Sequence, residues 1–350
     1  MRTRRRPRPR RSLAWVPGGL PLVDVSALRL GGSDAARVGA EIDTACRRHG
    51  FFRVVGHGIA PGARDELDGL ARRFFAQPDD VKDRIAMRHA GAAWRGWFPL
   101  GGELTSGVPD RKEGIYFGAE LGPDHPAVQA RRPLHGANQF PDEPPGLRPA
   151  VLGWMDAMAD LGARLLRAMA EGLGLDARWF ERSVTADPTV LFRIFRYPPG
   201  EGGWGVGEHT DYGLLTILAQ DGHAGLEVRG PDGWIPVPPD PDVLVVNLGD
   251  MLERMTAGAY RSTPHRVRSS AAAGDRLSFP CFIDPSWDAV CPVMPGTATA
   301  ATVASSRWDG ADPRAWEGTY GDYLTAKVAR VFPDLGLDAP GAPIRRSAPG

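Results

Sequence analysis

Residues 190–284 carry the pattern that most limits how this chain can fold. Short apolar runs, separated by turns rich in Gly, Pro and Asp, fall at 190–197, 214–218, 226–228, 234–237, 243–247 and 277–283. Strands at this spacing are typical of an antiparallel sandwich or barrel. The jelly roll, two sheets in Greek-key order, is one such architecture. The stretch therefore predicts a core built from β-strands.

Helical patterns flank these strands. Ser33 can cap a helix over 33–48, Gly50 can stop it, and a buried strand is predicted at 51–55. The longest apolar stripe of helical period predicts a helix over 146–172 that backs the sheet. Further helices are predicted at 62–75, 79–87 and 318–332. The predicted fold class is mixed α/β (α+β), and 88–145 is predicted to be irregular, with short strands.

A His-x-Asp pair precedes a second His by 54 residues: His209, Asp211 and His265. Residues two apart on a strand point to one face, so a strand end can aim an imidazole and a carboxylate at one point. Two imidazoles and a carboxylate on one face of a metal leave other positions open, which is typical of non-haem Fe(II) oxygenases. Such pairs are also common as satisfied polar groups at strand ends, and the same ligands occur in zinc hydrolases.

An Arg-x-Ser pair, Arg276 and Ser278, begins eleven residues after His265. Arg presents a planar fork that pairs with a carboxylate, and Ser278 would lie on the same strand face. Metal ligands beside a carboxylate-binding pair suit a 2-oxo acid that chelates the metal. A zinc hydrolase would have no use for this pair.

Further segments match one known family in chain order. They are 20–25 (LPLVDV), 45–59 (ACRRHGFFRVVGHGI), 95–97 (RGW), 112–113 (KE), 195–199 (FRYPP), 247–250 (NLGD) and 319–324 (TYGDYL). With the motifs above, they make the chain resemble the isopenicillin N synthase-like branch of the Fe(II)/2-oxoglutarate-dependent dioxygenases. The resemblance covers residues 20–335.

The resemblance implies a double-stranded β-helix (jelly-roll) core with Fe(II) at its open mouth. It implies that the iron ligands are His209, Asp211 and His265. It implies that 2-oxoglutarate is bound by Arg276, Ser278 and Tyr197. Many plant relatives carry Asn at the position of Phe195, so one polar co-substrate contact is missing here or comes from elsewhere. The implied reaction uses O₂ to hydroxylate, desaturate or cyclise a small molecule at a C–H bond, releases succinate and CO₂, and needs no side-chain nucleophile.

The substrate pocket is predicted, by resemblance, to be walled by Arg193, Arg95, Trp97, Phe282 and Trp287. If Arg193 points inward it can pair with a substrate carboxylate, and the alternative is an ion pair with a neighbouring strand. An oxidase of the isopenicillin N synthase kind, which does not use 2-oxoglutarate, would place the substrate's own carboxylate on the Arg-x-Ser pair. A non-catalytic ligand-binding relative is a third alternative, which the intact triad disfavours. A role in specialised metabolism is expected for the leading interpretation.

The composition limits which binding partners and which cellular compartment are expected for this chain. Lys plus Arg and Asp plus Glu both number 42, so no net field favours nucleic acid or a membrane surface. No apolar run is long enough to span a bilayer. Three cysteines, Cys46, Cys281 and Cys291, form no disulfide framework and no CxxC pair, which predicts a reducing cytoplasm. The sequence predicts no oligomeric state.

The chain is predicted to divide into four regions. Residues 1–19 hold seven Arg within the first eleven positions and are predicted to be a basic disordered leader rather than a nucleic-acid-binding arm. Residues 20–145 would form an N-terminal dioxygenase region. Residues 146–335 would hold the long helix, the catalytic jelly roll and the C-terminal helix, followed by a tail over 336–350.

Overall fold

The computed structural model describes residues 19–29, 33–105, 107–200, 203–268, 274–296 and 315–332. The predicted leader, apart from Gly19, and the predicted tail lie outside these ranges. The strands are β1 (Leu22–Asp24), β2 (Phe51–Val55), β3 (Gly96–Phe98), β4 (Leu104–Thr105), β5 (Val108–Pro109), β6 (Glu113–Gly118), β7 (Pro188–Tyr197), β8 (Trp204–His209), β9 (Leu215–Gln220), β10 (Leu226–Gly230), β11 (Gly233–Pro236), β12 (Leu244–Leu248), β13 (His265–Arg268) and β14 (Arg276–Ser286). The helices are α1 (Ser33–His49), α2 (Ala63–Phe75), α3 (Asp79–Lys82), α4 (Pro126–Gln129), α5 (Leu147–Gly172), α6 (Trp179–Ser183), α7 (Asp250–Met255) and α8 (Tyr320–Val331).

The larger sheet holds eight of the described strands in the order β1-β2-β12-β9-β14-β7-β6-β3. β1 and β2 run parallel, and the other neighbouring strands of this sheet are antiparallel. β2 lies inside the sheet, and its residues Phe51, Phe52 and Val54 are buried. Such a continuous apolar strand is expected where both sheet faces are covered. The predicted strand at 51–55 is confirmed.

The smaller sheet holds four described strands in the order β11-β10-β13-β8, all antiparallel. Residues of both sheets line one cavity: Tyr197 and Arg276 come from the larger sheet, Val206 and Val267 from the smaller. The strands predicted from the short apolar runs all occur, with small shifts at their ends. The predicted jelly-roll core and mixed α/β fold class are confirmed.

The turn after α1 brings the N-terminal region against the strand that carries the second His. α1 buries Val38 and Ile42 on one apolar face. Gly50 follows the helix with a φ of 62°, a left-handed conformation that favours Gly. A Cβ on Gly50 would lie 2.2 Å from the carbonyl oxygen of Arg261, four residues before His265. This turn therefore packs directly on the segment that leads into β13.

The long helix α5 lies against α1 and β14, as the sequence predicts for a backing helix. Its contact with the sheet is close, because a Cβ on Gly162 would lie 2.7 Å from Cγ1 of Ile283. Its buried side chains include Val151, Met155, Met158, Leu161, Leu165 and Met169. Within the described ranges, neither α5 nor any other helix combines the length and apolarity needed to cross a bilayer.

The helix predicted over 79–87 is wrong in its extent. α3 ends at Lys82 and is followed by 3-10 turns at Asp83–Ile85 and Met87–His89. Between these turns Ala86 has an extended ψ of 145° and forms a parallel bridge to Trp97 of β3. Local apolar spacing does not reveal such a distant partner, and this bridge takes Ala86 out of the helical conformation.

The irregular region predicted over 88–145 contains short strands, as expected. Two of them, β3 and β6, extend the larger sheet beyond β7. The two regions predicted to meet at residues 145 and 146 therefore share one sheet. Their division into separate units stays a prediction.

The apolar stripe of α5 should carry much of the stability of the fold. We expect Leu161→Ala to lower the free energy of unfolding by about 2–5 kcal/mol, because Leu161 is fully buried and its truncation leaves a cavity. Denaturant unfolding measures the change. Asp156→Ala on the exposed face of the same helix serves as the control and should change the free energy by less than about 0.5 kcal/mol. Equal effects of the two substitutions would contradict the packing described here.

Candidate metal centre and co-substrate pocket

Strand pairing brings the three predicted metal ligands together. His209 ends β8, His265 begins β13, and the two residues lie opposite one another in the antiparallel ladder. Asp211 follows β8 by two residues, and its Oδ1 lies 3.8 Å from Nε2 of His265 and 4.0 Å from Nε2 of His209. The three candidate ligand atoms lie within 4.8 Å of one another. One metal ion can therefore contact all three.

Backbone carbonyls orient both imidazoles. Nδ1 of His209 lies 2.8 Å from the carbonyl oxygen of Gly207, and Nδ1 of His265 lies 3.3 Å from that of Thr263. A carbonyl oxygen can only accept, so these contacts assign the proton to Nδ1 and leave the Nε2 lone pair for a metal. The ring of Phe51 meets His265 edge-on, with centroids 5.2 Å apart.

Two side chains fix the carboxylate of Asp211. Its Oδ2 accepts hydrogen bonds from Nδ2 of Asn247, at 2.7 Å, and from the Thr216 hydroxyl. Oδ1 is the oxygen that faces the imidazoles. This arrangement suits a carboxylate that offers one oxygen to a metal. The sequence alone predicts no role for Asn247 or Thr216, although Asn247 begins the NLGD segment that matched the family.

The protonation states of the triad match a divalent metal. Burial lowers the pKa of His209, and burial together with the neighbouring His209 lowers the pKa of His265 to about 4. Burial alone would raise the pKa of Asp211, but the two imidazoles and the hydrogen bonds to Oδ2 hold it below its usual value. Two neutral imidazoles and one carboxylate form a donor set that fits Fe(II).

Arg276 brings a positive charge to the same cavity. Only 3% of this residue is exposed, and its Nε, Nη1 and Nη2 atoms have no hydrogen-bond partner among the described residues. Its guanidinium carbon lies 4.9 Å from the ring centroid of Tyr197, which is opposite Arg276 in the ladder between β14 and β7. A buried cation without a partner is costly. Its presence here indicates a site for an anionic ligand.

Ser278 and Tyr197 line the cavity together with Arg276 and the triad. Ser278 lies opposite Phe195 in the ladder, and Phe195 also lines the cavity. Alternate residues of β7 thus face the cavity: Leu191, Arg193, Phe195 and Tyr197. A 2-oxo acid spanning from the triad to Arg276 would contact these two strands.

Arg193 precedes Tyr197 by four residues on β7 and lies between two aromatic rings. Its guanidinium carbon is 4.0 Å from the ring centroid of Tyr116 and 4.7 Å from that of Phe282. Its Nη1 lies 3.9 Å from Oε1 of Glu103, and its buried Nε has no hydrogen-bond partner within the described part of the chain. Arg193 and Phe282 both line the cavity, where the sequence predicted pocket walls.

Three other predicted pocket residues do not line this cavity, although Arg95 lines a smaller neighbouring pocket that shares Leu191 and Arg193 with it. Their role as substrate walls stays a prediction. Trp97 donates from Nε1 to Glu113 at 2.8 Å, and Trp287 packs edge-on against His135 at 4.8 Å between centroids. Arg95 is buried, and its Nη1 and Nη2 donate to oxygens of Leu134, Ala119, Gly136 and Asn138. These side chains stabilise the irregular region, whose loop paths follow from distant contacts that the sequence does not reveal.

Several residues that line the cavity or lie beside it are not predicted from the sequence. Lys112 is 2% exposed at its side chain, lies 2.9 Å from Glu103, also pairs with Asp110, and places Nζ 4.7 Å from the ring centroid of Phe195. Burial raises the pKa of Asp284 to about 7, and the Tyr320 hydroxyl donates to its Oδ2. Further missed wall residues are Thr105, Tyr212, Leu324 and Val331. Lys112, in the KE pair, and Leu324, in the TYGDYL segment, belong to segments that matched the family, whereas Thr105 and Val331 do not.

Comparison with known proteins agrees with this geometry. Residues 188–285, which include all three candidate ligands and Arg276, match the model of the 2OG-Fe(II) oxygenase superfamily. Residues 20–143 match the family described as non-haem dioxygenase in morphine synthesis N-terminal. A probable iron/ascorbate oxidoreductase of Dictyostelium discoideum is 42% identical over 349 residues, which cover 90% of this chain and 95% of the relative.

The chain belongs to the Fe(II)/2-oxoglutarate-dependent oxygenases. A 2-oxoglutarate-dependent dioxygenase of Monascus ruber is 37% identical over 286 residues, which cover 77% of this chain and 85% of that protein. The crystal structure of a full-length Neurospora crassa protein in complex with alpha-KG and thymine has a TM-score of 0.73 and 28% identity, and covers 91% of this chain and 99% of that one. The family predicted from the sequence is confirmed. The protein is an oxidoreductase that uses Fe(II), 2-oxoglutarate and O₂.

The hydrogen bond from Asn247 should strengthen metal binding. We expect Asn247→Ala to weaken Fe(II) affinity by about 10–100-fold, because partners that orient a metal ligand typically contribute this much. Anaerobic titration of the apo-protein with Fe(II) measures it. Asn138→Ala, which removes another buried Asn that bonds to Gly118, is the matched control and should leave the affinity unchanged. Unchanged affinity in Asn247→Ala would show that Thr216 suffices to hold Asp211.

Metal binding should resist mild acid. A ligating imidazole must be neutral, and the pKa of His265 is lowered to about 4 from the ordinary 6.5. We therefore expect the affinity for Co(II), used as an optical probe, to be nearly constant from pH 8 to about pH 5.5 and to fall as the pH approaches 4. A steep loss of affinity already between pH 6.5 and 5.5 would show that His265 titrates at its ordinary pKa.

Proposed function

We propose that the protein oxidises a C–H bond of a small organic molecule that carries a carboxylate group. The observation that carries this proposal is the presence of two guanidinium groups in one cavity with the triad, the buried Arg276 on β14 and the partly buried Arg193 on β7. One can bind the co-substrate while the other binds the substrate. The Neurospora crassa neighbour, whose structure holds alpha-KG together with thymine, supports a cavity for two small ligands.

In this proposal His209, Asp211 and His265 hold Fe(II). When bound, the iron and 2-oxoglutarate activate O₂ for oxidation of the substrate, and succinate and CO₂ leave as co-products. The protein contributes position and the exclusion of water. Neutral imidazoles and an ionised Asp211 are ready to bind metal at neutral pH, without release of a proton from His265.

The far carboxylate of 2-oxoglutarate would pair with Arg276 and accept a hydrogen bond from Ser278. The Tyr197 hydroxyl would add a further donor. The guanidinium of Arg276 is buried and has no hydrogen-bond partner among the described residues, so an incoming carboxylate gains a charge-assisted pair without displacing another one. Phe195 offers no polar group here, and Nζ of Lys112 lies 4.7 Å from the centroid of its ring.

The substrate carboxylate would bind Arg193. Its guanidinium is held between Tyr116 and Phe282, and Glu103 approaches no nearer than 3.9 Å, so a stronger anionic partner can still form. Apolar side chains also line the cavity, among them Leu191, Leu324 and Val331. A carboxylate on an otherwise apolar molecule suits such a surface.

We also propose a cytoplasmic location and a role in specialised metabolism. The three cysteines are buried and unpaired, which supports a reducing compartment. The separate groups for co-substrate and substrate support a dedicated small-molecule substrate rather than nucleic acid.

The role of Arg276 can be tested by anaerobic optical titration. The Fe(II)-loaded protein should develop a weak visible charge-transfer band when 2-oxoglutarate is added. We expect Arg276→Ala to need about 30-fold or more 2-oxoglutarate for the same band, because breaking a desolvated charged pair costs about 2–5 kcal/mol. Arg164→Ala, which removes an Arg paired with the exposed Asp160, is the control and should not change the titration.

The outcomes separate the parts of the proposal. An unchanged requirement in Arg276→Ala would mean that the carboxylate binds elsewhere. A wild-type protein that binds iron but develops no band would favour the oxidase alternative, in which Arg276 and Ser278 bind the substrate. Once a substrate is known, Arg193→Gln tests the second anion site.

A further inference from the structure

Arg276 is the first residue of β14, and the backbone on both sides of it is fixed by charged side chains. The residue before it is Asp275 and the residue after it is Leu277. Strand ends open more easily than strand interiors. A long buried cation at such an end needs additional restraint if its guanidinium is to stay in the cavity without a partner.

Asp221 provides the restraint on one side. Its carboxylate, with no exposed side-chain surface, follows β9 and accepts a hydrogen bond from the backbone N–H of Leu277 at 2.6 Å. The same carboxylate accepts from Nη2 of Arg72 at 2.7 Å and from the backbone N–H of His223 at 3.0 Å. Burial opposes its ionisation, but the hydrogen bonds from Leu277 and His223 hold the pKa of Asp221 below its usual value.

Arg196 and Arg72 provide the restraint on the other side. Arg196 donates from Nε and Nη2 to the two oxygens of Asp275, at 2.7 and 3.1 Å. Arg72 donates from Nη1 to the Asp275 carbonyl oxygen at 3.1 Å. Arg72 thus contacts both flanks of Arg276, through Asp221 and through Asp275. These four side chains, Arg72, Arg196, Asp221 and Asp275, are called the anchor clamp below.

The anchor clamp extends into the N-terminal region. Arg72 lies on α2 and also pairs with Asp68 of the same helix. Arg196 pairs with Glu113, whose other oxygen accepts from Lys82 at 2.8 Å. Helices α2 and α3 are therefore joined by charged contacts to the strand end that carries Arg276.

We propose that the anchor clamp positions Arg276, and that Asp221 is the positioning residue through which the N-terminal helices set the affinity for 2-oxoglutarate. The proposal rests on the function proposed above, in which Arg276 binds the far carboxylate of the co-substrate. If Leu277 lost its partner, the strand end would open and Arg276 would turn toward water. The metal ligands lie on or beside other strands and would keep their places.

Binding of two different 2-oxo acids distinguishes a loss of Arg276 positioning from general damage to the site. 2-Oxobutyrate chelates iron through the same keto and carboxylate groups as 2-oxoglutarate but has no far carboxylate. Dissociation constants for both are measured on the anaerobic Fe(II)-loaded protein, directly from the charge-transfer band or by competition. We expect Asp221→Asn to weaken 2-oxoglutarate binding about tenfold or more and to leave 2-oxobutyrate binding within about twofold of wild type.

Two further variants complete the test. Arg72→Lys keeps the charge but cannot bridge Asp221 and Asp275 at once. It serves as a second variant in case Asp221→Asn fails to fold. It should likewise weaken 2-oxoglutarate binding relative to 2-oxobutyrate binding. Asp160→Asn removes an exposed carboxylate from a surface ion pair and should leave both constants unchanged. Equal weakening of both acids, or no change in either, would overturn the proposal. If Arg276→Ala itself fails to separate the two acids, the proposed role of Arg276 is wrong, and the clamp proposal falls with it.

Discussion

The pairing of β8 with β13 is the constraint on which the site depends. It sets His265 opposite His209, and Asp211 is within reach only because it follows β8 by two residues. Side chains alternate between faces along a strand, so a slip of one residue would turn an imidazole away from the centre. The close packing of Gly50 against Arg261 restrains the segment that enters β13. The metal site is thus a consequence of register, and the turn at Gly50 packs against the segment that sets it.

Buried charge is distributed unevenly around the cavity. Lys112 is neutralised by Glu103 and Asp110, and Arg193 has Glu103 only at a distance. The guanidinium of Arg276 has no hydrogen-bonded partner at all among the described residues. Since an unpaired buried cation is unfavourable, binding of a dicarboxylate relieves a cost already present in the folded protein. The folded protein therefore already holds a buried guanidinium in place for the carboxylate of the co-substrate before the ligand binds.

The sequence allowed the strands and the triad to be predicted because their signals are local. Apolar runs and the two-residue spacing in His209-x-Asp211 depend only on strand geometry. The same two-residue spacing places Arg276 and Ser278 on one face of a strand. The irregular region gave no comparable signal. Trp97 and Arg95 were predicted to be pocket walls, yet each satisfies a partner that is distant in sequence. The path of a loop determines which distant residues come into contact, and no local pattern in the sequence reveals that path.

The walls of the cavity that surround the substrate belong in part to other elements than the metal ligands. Leu324 and Val331 lie on α8, and Glu103 and Thr105 lie in or beside β4, whereas the triad is held by strands of the jelly roll. Substitutions on α8 or near β4 can reshape the cavity without disturbing the strand register that brings the iron ligands together. The residues that would hold the iron and many of the residues that shape the substrate space therefore lie on different elements. This separation offers a physical route by which one oxidative chemistry can spread over many substrates during evolution.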